Sequence, residues 1–264
     1  MAIIDVNFYS NKLCRQVTYR AIIPIDGPYW EKKNQEFKPF KTLYLLHGIM
    51  GNYIDWTSYT NIALYANKYN IAVIMPSGDN SFYVDQSDAN NSYGEYIGEE
   101  LVNETRKLFP LSTKKEDTFI GGLSMGGYGA LRNGLKYAQT FGSIVALSSG
   151  LIMDAVINAK DEENMGVFNN KSYYQSVFGD LTKLKGSDKD IEALVSNILS
   201  EHKELPRIYL AIGTEDFLLE PNRKFHQFLI NNNIEHTYIE DKGIHDWFFW
   251  DKYINKSLSW LVNE

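Results

Sequence analysis

Short, continuous apolar runs alternate along most of the chain with longer stretches of helical periodicity. The runs are rich in aliphatic and β-branched residues and end at His, Pro, Gly or Ser, which is typical of buried parallel strands. They lie at residues 42–46, 71–75, 118–120, 143–147 and 207–212. Helix-like stretches occupy residues 58–69, 93–108, 127–136, 223–231 and 250–262. The alternation predicts βαβ crossovers, and therefore an α/β fold with one mostly parallel central sheet and helices on both faces.

The first part of the chain follows a different pattern. Apolar and polar side chains alternate over residues 3–9 and 15–23, so we expect two antiparallel edge strands in a hairpin or meander. With 264 residues, the chain suits a single large α/β domain, residues 1–264, better than two ordinary ones. Ligand sites in such sheets lie outside the carboxyl ends of the strands, which is where catalytic residues are to be sought.

Residues 151–205 interrupt this alternation. They are rich in Asn, Lys, Asp and Tyr and contain no convincing buried strand. One interpretation is a surface excursion of helices and loops. The other is a small cap insertion over the active site, because long insertions after the carboxyl end of a strand often serve as lids. The apolar residues of this segment can face a pocket or pack on the core: Val167, Phe168, Tyr173, Tyr174, Val177 and Phe178.

Composition narrows the classes of function. Hydrophobic residues make up 44% of the chain, which is ordinary for a globular protein. The formal net charge of −7 argues against a nucleic-acid partner, because no basic stripe would neutralise phosphates. The single cysteine, Cys14, excludes an internal disulfide and a four-cysteine zinc site. The first residues resemble no signal peptide, and no window approaches the roughly 18 apolar residues of a membrane helix, so we expect a cytoplasmic protein without a membrane partner.

One motif indicates the class of chemistry. Gly122-Leu123-Ser124-Met125-Gly126 has the form G-x-S-x-G and lies between the strand predicted at 118–120 and the helix predicted at 127–136. A nucleophile on a sharp strand-to-helix turn has a strained backbone, and side chains beside it would clash with the turn. The helix that follows directs unpaired N–H groups at the reacting oxygen. The segment is not a phosphate loop, because no Gly-Lys-Ser/Thr follows. We therefore predict that Ser124 is the nucleophile.

A serine hydroxyl is a poor nucleophile until a base takes its proton. Where the nucleophile stands on such a turn, the acid and then the histidine follow it along the chain. His245 fits this order, because it lies in a loop between a strand-like segment, residues 236–240, and the last predicted helix. The remaining histidines are interpreted as packing, surface or solvated residues: His47, His202, His226 and His236.

The acid that orients the base must lie between the nucleophile and the histidine, at the end of a strand. Asp216 meets both conditions, since it closely follows the strand predicted at 207–212. Its competitors are Glu215, Asp241 and Asp246. If Asp216 points inward, Glu215 points away, and Asp246 is next to the base and poorly placed to accept its Nδ1–H. The sequence therefore favours Asp216.

Acyl transfer also requires an oxyanion hole with two backbone donors. One is expected to be the N–H of Met125, directly after the nucleophile. The other is expected in residues 45–51, where an apolar strand runs into a glycine-containing loop. We favour the N–H of Ile49 there, with the N–H of Gly48 as the second choice. His47 is interpreted as a structural residue under the loop. Three aromatic residues near the motif loops are candidates for the substrate pocket: Trp56, Phe217 and Trp247.

Taken together, these segments resemble the esterase D family of α/β-hydrolases, which includes bacterial tributyrin esterases, S-formylglutathione hydrolases, feruloyl and acetylxylan esterases and the antigen 85 mycolyltransferases. The resemblance runs from about residue 43 to residue 250. Its motifs are Tyr44-Leu45-Leu46-His47-Gly48, Phe82-Tyr83-Val84-Asp85, Glu99-Glu100-Leu101, Gly122-Leu123-Ser124-Met125-Gly126-Gly127, Gly213-Thr214-Glu215-Asp216-Phe217 and His245-Asp246-Trp247.

The resemblance implies an α/β-hydrolase fold and a serine carboxylesterase that acts on short-chain acyl esters, nearest to the tributyrin-esterase and feruloyl or acetyl esterase types. The expected partner is a small-molecule or carbohydrate ester, and the family implies no cofactor or metal. A homo-oligomer is left open. Two alternatives are kept: an S-formylglutathione hydrolase, which is a thioesterase on the same framework, and a hydrolase-like binding module without catalysis. Mycolyl transfer is disfavoured, because those enzymes are secreted.

Overall fold

The computed structural model describes residues 1–26, 38–86, 91–160 and 170–263. The strands in chain order are β1 (Ala2–Ser10), β2 (Arg15–Ile23), β3 (Lys41–Leu46), β4 (Ile71–Pro76), β5 (Asp85–Gln86), β6 (Asn91–Ser92), β7 (Thr118–Leu123), β8 (Ser143–Leu147), β9 (Arg207–Gly213) and β10 (Thr237–Asp241). Among the described residues, eight strands form one sheet in the order β1-β2-β4-β3-β7-β8-β9-β10, and two short strands, β5 and β6, pair with each other.

The sheet is mainly parallel, as the alternating sequence pattern predicts. Strands β1 and β2 form an antiparallel hairpin, and β2 pairs antiparallel with β4. Every pair from β4 through β3, β7, β8 and β9 to β10 is parallel. Strands β4, β7 and β8 are buried along their whole length, because helices cover both faces of the sheet.

The helices divide between the two faces. In chain order they are α1 (Asp55–Tyr59), α2 (Ile62–Tyr69), α3 (Tyr93–Glu95), α4 (Leu101–Leu108), α5 (Met125–Lys136), α6 (Met153–Ile157), α7 (Lys171–Phe178), α8 (Ile191–Ser200), α9 (Leu219–Asn231) and α10 (Trp247–Asn263). Helices α2 and α10 bury their apolar sides in one core cluster, and helices α4, α5, α7 and α8 bury theirs in the other. The predicted arrangement with helices on both faces is confirmed.

Two predicted helices are interrupted. One is divided by a contact with a residue distant in sequence, and the other contains a turn of irregular geometry. The helix predicted at 58–69 is two helices, because Thr60 is extended and the N–H of Asn61 donates to Asp251 of α10 at 2.7 Å. The helix predicted at 93–108 contains a π-helical turn, Tyr96–Glu100, between α3 and α4. Neither feature leaves a local signal in the hydrophobic pattern.

The described part of residues 151–205 contains helices α6, α7 and α8 and no strand. Helices α7 and α8 start at side-chain caps: Asn170 accepts the N–H of Tyr173 at 2.7 Å, and Asp190 accepts the N–H of Glu192 at 3.1 Å. The segment is tied to α5 by a cluster of charges, in which Arg132, which is fully buried, contacts Asp188.

The apolar residues of this segment pack on the main core. Tyr174, Val177 and Phe178 are buried, and the Phe178 ring lies 5.1 Å from that of Phe82 and 6.1 Å from that of Tyr128. Val167 and Phe168 lie outside the described residues. The apolar residues of α7 therefore pack on the core, and the action of the segment as a cap stays a prediction.

Candidate active site

Ser124 stands on a strained turn between β7 and α5. Its φ is 54° and its ψ is −119°, a conformation that side-chain-bearing residues rarely adopt. The flanking glycines permit this turn. A Cβ on Gly122 would lie 2.4 Å from the carbonyl oxygen of Gly126, and a Cβ on Gly126 would lie 2.5 Å from the carbonyl oxygens of Leu46 and His47. The G-x-S-x-G spacing is therefore required by the close approach of β3 and α5.

His245 contacts both Ser124 and Asp216. It lies in the loop between β10 and α10, with its Nε2 3.0 Å from Ser124 Oγ and its Nδ1 2.8 Å from Asp216 Oδ2. A carboxylate can only accept, so Nδ1 carries the hydrogen and Nε2 is free to accept the serine hydroxyl proton. The three side chains form a continuous hydrogen-bonded chain with the geometry that activates a hydroxyl nucleophile.

The Asp216 carboxylate is held in its ionised form. Its side chain is completely buried, which favours the neutral acid, but it accepts hydrogen bonds from His245, from the N–H of Leu218 at 2.9 Å and from the side chain of Ser148. The net effect is that the pKa of Asp216 lies below its ordinary value. A buried negative charge therefore faces Nδ1 of the histidine.

The competing acids have other contacts. Glu215 is exposed, as its adjacency to an inward-pointing Asp216 predicts. Asp241 pairs with Lys252 and accepts the hydroxyl of Tyr253 at 2.6 Å. Asp246 accepts the N–H of Phe249 at 2.9 Å and so caps the start of α10.

Two residues of the site were not anticipated from the sequence. Ser148 follows β8 directly and has a φ of 44°, and its hydroxyl accepts the indole N–H of Trp250 at 3.1 Å. The Trp250 ring also meets the His245 ring edge-on, with 4.9 Å between ring centroids. Its position at the carboxyl end of a strand could have marked Ser148 as a candidate site residue. No local feature of the sequence predicts its contact with a tryptophan in the last helix.

The loop after β3 runs beside the nucleophile. A Cβ on Gly48 would lie 2.7 Å from Cδ1 of Leu123 and 3.6 Å from Cβ of Ser124, so the backbone passes close to the nucleophile here. This places the Gly48–Ile49 segment next to Ser124. Met125 is the first residue of α5, so its N–H has no acceptor within the helix. Both candidate donors of an oxyanion hole therefore belong to backbone that adjoins the serine.

His47 supports this loop from below. It is buried, its Nδ1 donates to the carbonyl of Gly48 at 2.7 Å, and its Nε2 accepts the N–H of Gly78 at 2.8 Å. Burial lowers the pKa of His47, and the N–H of Gly78 requires the neutral ring. The hydroxyl of Tyr83 donates to the His47 carbonyl at 3.0 Å and adds a further anchor. His47 thus has the structural contacts that its position in the sequence suggests.

The other histidines are placed elsewhere in the fold. Nδ1 of His226, on α9, lies 2.7 Å from Nε2 of His236, just before β10, so these two pair with each other. His202 is exposed shortly after the end of α8. The sequence interpretation of these residues as packing, surface or solvated residues agrees with these positions.

Two of the three predicted pocket aromatics lie near the histidine loop. Phe217 is 75% exposed, and its ring lies 4.6 Å from the His245 ring. Trp247 is half-buried and stacks on Tyr59 at 5.0 Å. Phe217 therefore lies against the base, whereas Trp247 packs among other aromatic residues, and a pocket role for either stays a prediction.

Trp56 is placed differently from the prediction. It is only 1% exposed, and its indole N–H donates to the carbonyl of Leu46 at 3.1 Å. The side chain packs under the end of β3, so it supports the site from the core and offers no surface to a substrate. The sequence places Trp56 after the loop that follows β3, but it does not show the direction in which the ring points.

Within the described ranges, no three or more His, Cys, Asp or Glu side chains lie together in a way that could hold a metal ion. No helix of that same part of the chain is long and apolar enough to cross a membrane. The cytoplasmic location and a homo-oligomeric state stay predictions.

Comparison with known proteins agrees with this geometry. The family model named Esterase matches residues 15–261. The chain belongs to the esterase family. This esterase is 48% identical to an acetyl esterase of Caldicellulosiruptor saccharolyticus, over 99% of this chain and 98% of that protein.

Solved structures extend the comparison. The fluorophosphonate-binding serine hydrolase FphF of Staphylococcus aureus is 31% identical, with a TM-score of 0.87 over 100% of this chain and 99% of that one. The S-formylglutathione hydrolase FrmB of the same organism is also 31% identical, with a TM-score of 0.85 over 99% of each chain. A ferulic acid esterase at 19% identity shares the fold. The chain is thus a serine carboxylesterase of the α/β-hydrolase fold.

Proposed function

We propose that Ser124 is the nucleophile, His245 the base and Asp216 the orienting acid in the hydrolysis of short-chain carboxylic esters. The observation that carries this proposal is the hydrogen-bonded chain from Ser124 Oγ through His245 to the buried Asp216 carboxylate, at 3.0 and 2.8 Å. Ser124 stands on a strained turn at the start of a helix. The dipole of that helix favours negative charge next to the serine.

The first half of the reaction acylates the enzyme. Ser124 Oγ forms a bond to the ester carbonyl carbon as His245 Nε2 takes its proton, and the carbonyl electron pair moves onto the oxygen. When this intermediate collapses, the bond to the alcohol oxygen breaks, and His245 returns its proton to that oxygen. Alcohol leaves, and the acyl group stays on Ser124.

The second half repeats these steps with water. His245 takes a proton from water, the water oxygen adds to the acyl carbon, and the Ser124 oxygen leaves with the proton that the histidine returns. In both halves the oxyanion is stabilised by the N–H groups of Met125 and Ile49, with Gly48 as the neighbouring donor. Asp216 stabilises the imidazolium and holds its tautomer.

Acetyl and other short acyl groups are the proposed substrates, on a small-molecule or carbohydrate alcohol. The acetyl esterase at 48% identity supports the acetyl group. The test is the hydrolysis of p-nitrophenyl acetate by the wild-type chain and by Ser124→Ala, with Ser196→Ala, an exposed serine of α8, as the control. We expect turnover in the wild type and in the control and its loss in Ser124→Ala. Equal turnover in all three would refute the proposal.

A second candidate is thioester hydrolysis, because the 31% identical FrmB is an S-formylglutathione hydrolase. The same acyl-serine steps serve a thioester, since only the leaving atom changes. Rates on S-formylglutathione and on p-nitrophenyl acetate, measured with one enzyme preparation, distinguish the two. A much higher kcat/KM for the thioester would favour this second candidate, and the triad roles would be unchanged.

A further inference from the structure

The loop after β3 forms a tight turn at the residue proposed as the second oxyanion donor. The N–H of Gly51 donates to the carbonyl of Gly48 at 3.2 Å, so residues 48–51 form one β-turn. The φ of Met50 is 66°, whereas that of Ile49 is negative. These signs are those of a type II turn, in which the third position is normally glycine or asparagine. A methionine at this position is strained, so the turn needs support from outside.

Asn80 gives that support. It lies in the loop after β4, and its side-chain Oδ1 accepts the N–H of Met50 at 2.7 Å. This N–H belongs to the peptide between the two central residues of the turn, which is the peptide that rotates when a type II turn converts to type I. The hydrogen bond therefore opposes this rotation and keeps Met50 at its unfavourable φ.

The turn also determines where the N–H of Ile49 lies. It begins beside the nucleophile, since a Cβ on Gly48 would lie 3.6 Å from Cβ of Ser124. Asn80 accepts the N–H of Met50 and leaves the preceding N–H, that of Ile49, as the proposed donor. A donor to an oxyanion must lie about 2.7–3.1 Å from the oxygen. A change in the turn would therefore move the Ile49 N–H away from its useful position.

Asn80 is itself held from the other side. Its backbone carbonyl accepts the hydroxyl of Tyr173 at 2.9 Å, and Tyr173 lies on α7. Two residues before Asn80, the N–H of Gly78 donates to Nε2 of His47 at 2.8 Å. The inserted segment 151–205 is thus connected to the turn through two hydrogen bonds, both made by Asn80.

We propose that Asn80 is a positioning residue for ester hydrolysis and that Tyr173 holds Asn80 in place. The inference rests on the proposed function, because it requires the acyl-serine steps and the Ile49 donor. Asn80 acts through the backbone of Met50. The oxyanion forms only as the reaction proceeds, so loss of this hydrogen bond raises the barrier to reaction and leaves binding of the ester largely unchanged.

The first test compares Asn80→Ala with the wild-type chain on p-nitrophenyl acetate. Removal of a whole oxyanion donor costs about 10²–10³ in kcat. Here the donor stays but moves, so we expect kcat to fall about tenfold or more and KM to stay within about twofold. Asn80→Asp keeps an oxygen at the acceptor position and is expected to recover part of the loss.

Asn52→Ala is the matched control for Asn80→Ala. Asn52 is exposed and lies just after the turn, and its Oδ1 accepts the N–H of Ile54 at 2.9 Å. The control therefore removes the same kind of hydrogen bond from the same loop without releasing the turn. We expect its kcat and KM to match those of the wild type.

Tyr173→Phe tests the second hydrogen bond and removes only a hydroxyl. We expect a smaller fall in kcat, about threefold, again with little change in KM. Tyr128→Phe is its control, because the hydroxyl of Tyr128 donates to the carbonyl of Lys189 at 2.7 Å. This bond also joins the inserted segment to the rest of the fold, but it is not made to Asn80. Tyr128→Phe should therefore keep the wild-type kcat.

Inhibition by benzyl trifluoromethyl ketone separates positioning from general loosening of the loop. Ser124 Oγ bonds to the ketone carbon, its proton passes to His245, and the carbonyl electron pair moves onto the oxygen. The adduct therefore carries an oxyanion. In Asn80→Ala the inhibition constant should rise by about the factor by which kcat falls, while the thermal unfolding midpoint should stay close to that of the wild type.

The results that would overturn the proposal are specific. Asn80→Ala could lose no more activity than Asn52→Ala, could raise KM alone, or could bind the ketone as tightly as the wild type. Each of these results would show that Asn80 does not position the oxyanion donor. A wild-type chain that does not hydrolyse p-nitrophenyl acetate would instead contradict the proposed function, so the two failures are distinguishable.

Discussion

Nδ1 of His245 lies 2.8 Å from Oδ2 of Asp216, whose side chain is completely buried. Burial alone would favour the neutral acid, and the hydrogen bonds from His245, Leu218 and Ser148 reverse that preference, so the pKa of Asp216 is lowered. The pair therefore places a fixed negative charge where an imidazolium forms during ester hydrolysis.

Replacing Asp216 with Asn should lower kcat by about 10⁴-fold, because the amide can hold His245 in the wrong tautomer. Glu215→Gln is the matched control, since Glu215 is adjacent and exposed, and it should have a small effect. Steady-state kinetics on p-nitrophenyl acetate measure both. The reverse order of effects would identify Glu215 as the acid.

Ser148→Ala should act through Asp216. The variant removes a hydrogen bond to the ionised carboxylate, so the pKa of Asp216 should rise, and kcat/KM should fall about tenfold or more. The acidic limb of the profile of kcat/KM against pH should also move to higher pH, because Asp216 would then take up a proton at a higher pH.

Ser149→Ala is the control for that experiment. The Ser149 hydroxyl is buried next to Ser148 but has no hydrogen-bond partner among the described residues. A shift of the pH profile in Ser149→Ala as large as in Ser148→Ala would show that general repacking of this loop, and not the bond to Asp216, is responsible.

His47 should make stability depend on pH. Its folded pKa is lowered by burial, so the unfolded chain binds the proton more readily. The stabilisation is complete above the ordinary histidine pKa of about 6.5 and is lost as pH falls below it toward the lowered folded pKa. Across this pH window, urea unfolding of His47→Asn should give a lower free energy of unfolding than wild type. That free energy should also change less with pH. The exposed His202→Asn should keep the wild-type slope, and a wild-type slope in His47→Asn would contradict the assignment.

Gly126→Ala should destabilise the nucleophile turn, because the added Cβ would lie 2.5 Å from backbone oxygens of Leu46 and His47. Overpacking of this kind costs about 1–3 kcal/mol or more. Gly121→Ala, in β7, is the milder comparison, since its nearest neighbour would be the Cβ of Val145 at 3.1 Å. Equal free energies of unfolding for the two variants would show that the turn relaxes more easily than its contacts indicate.

The parallel sheet and the gathering of Ser124, Asp216 and His245 at one edge could be anticipated from the sequence. Ser124 and Asp216 follow short apolar runs, His245 follows a strand-like segment, and parallel strands bring their carboxyl ends to the same edge. The tight turn at Ser124 could also be predicted from the glycines around it, because a side chain at those positions would clash with neighbouring backbone.

The remaining features depend on contacts between distant segments. Trp56 is 10 residues from Leu46, whose carbonyl orients its indole, and Ser148 is 102 residues from Trp250. Periodicity reports which residues are apolar, but not which partner a polar atom finds across the fold.

The most direct test of the central claim is the site of covalent modification by a fluorophosphonate. The native chain should gain one adduct by intact mass, and peptide mapping should place it on Ser124, because His245 Nε2 lies 3.0 Å from the Ser124 hydroxyl oxygen and can take its proton. Ser124→Ala should gain none, while its thermal unfolding should show that it remains folded. An adduct on another serine, or a folded Ser124→Ala variant that reacts as fast as the wild type, would contradict the account.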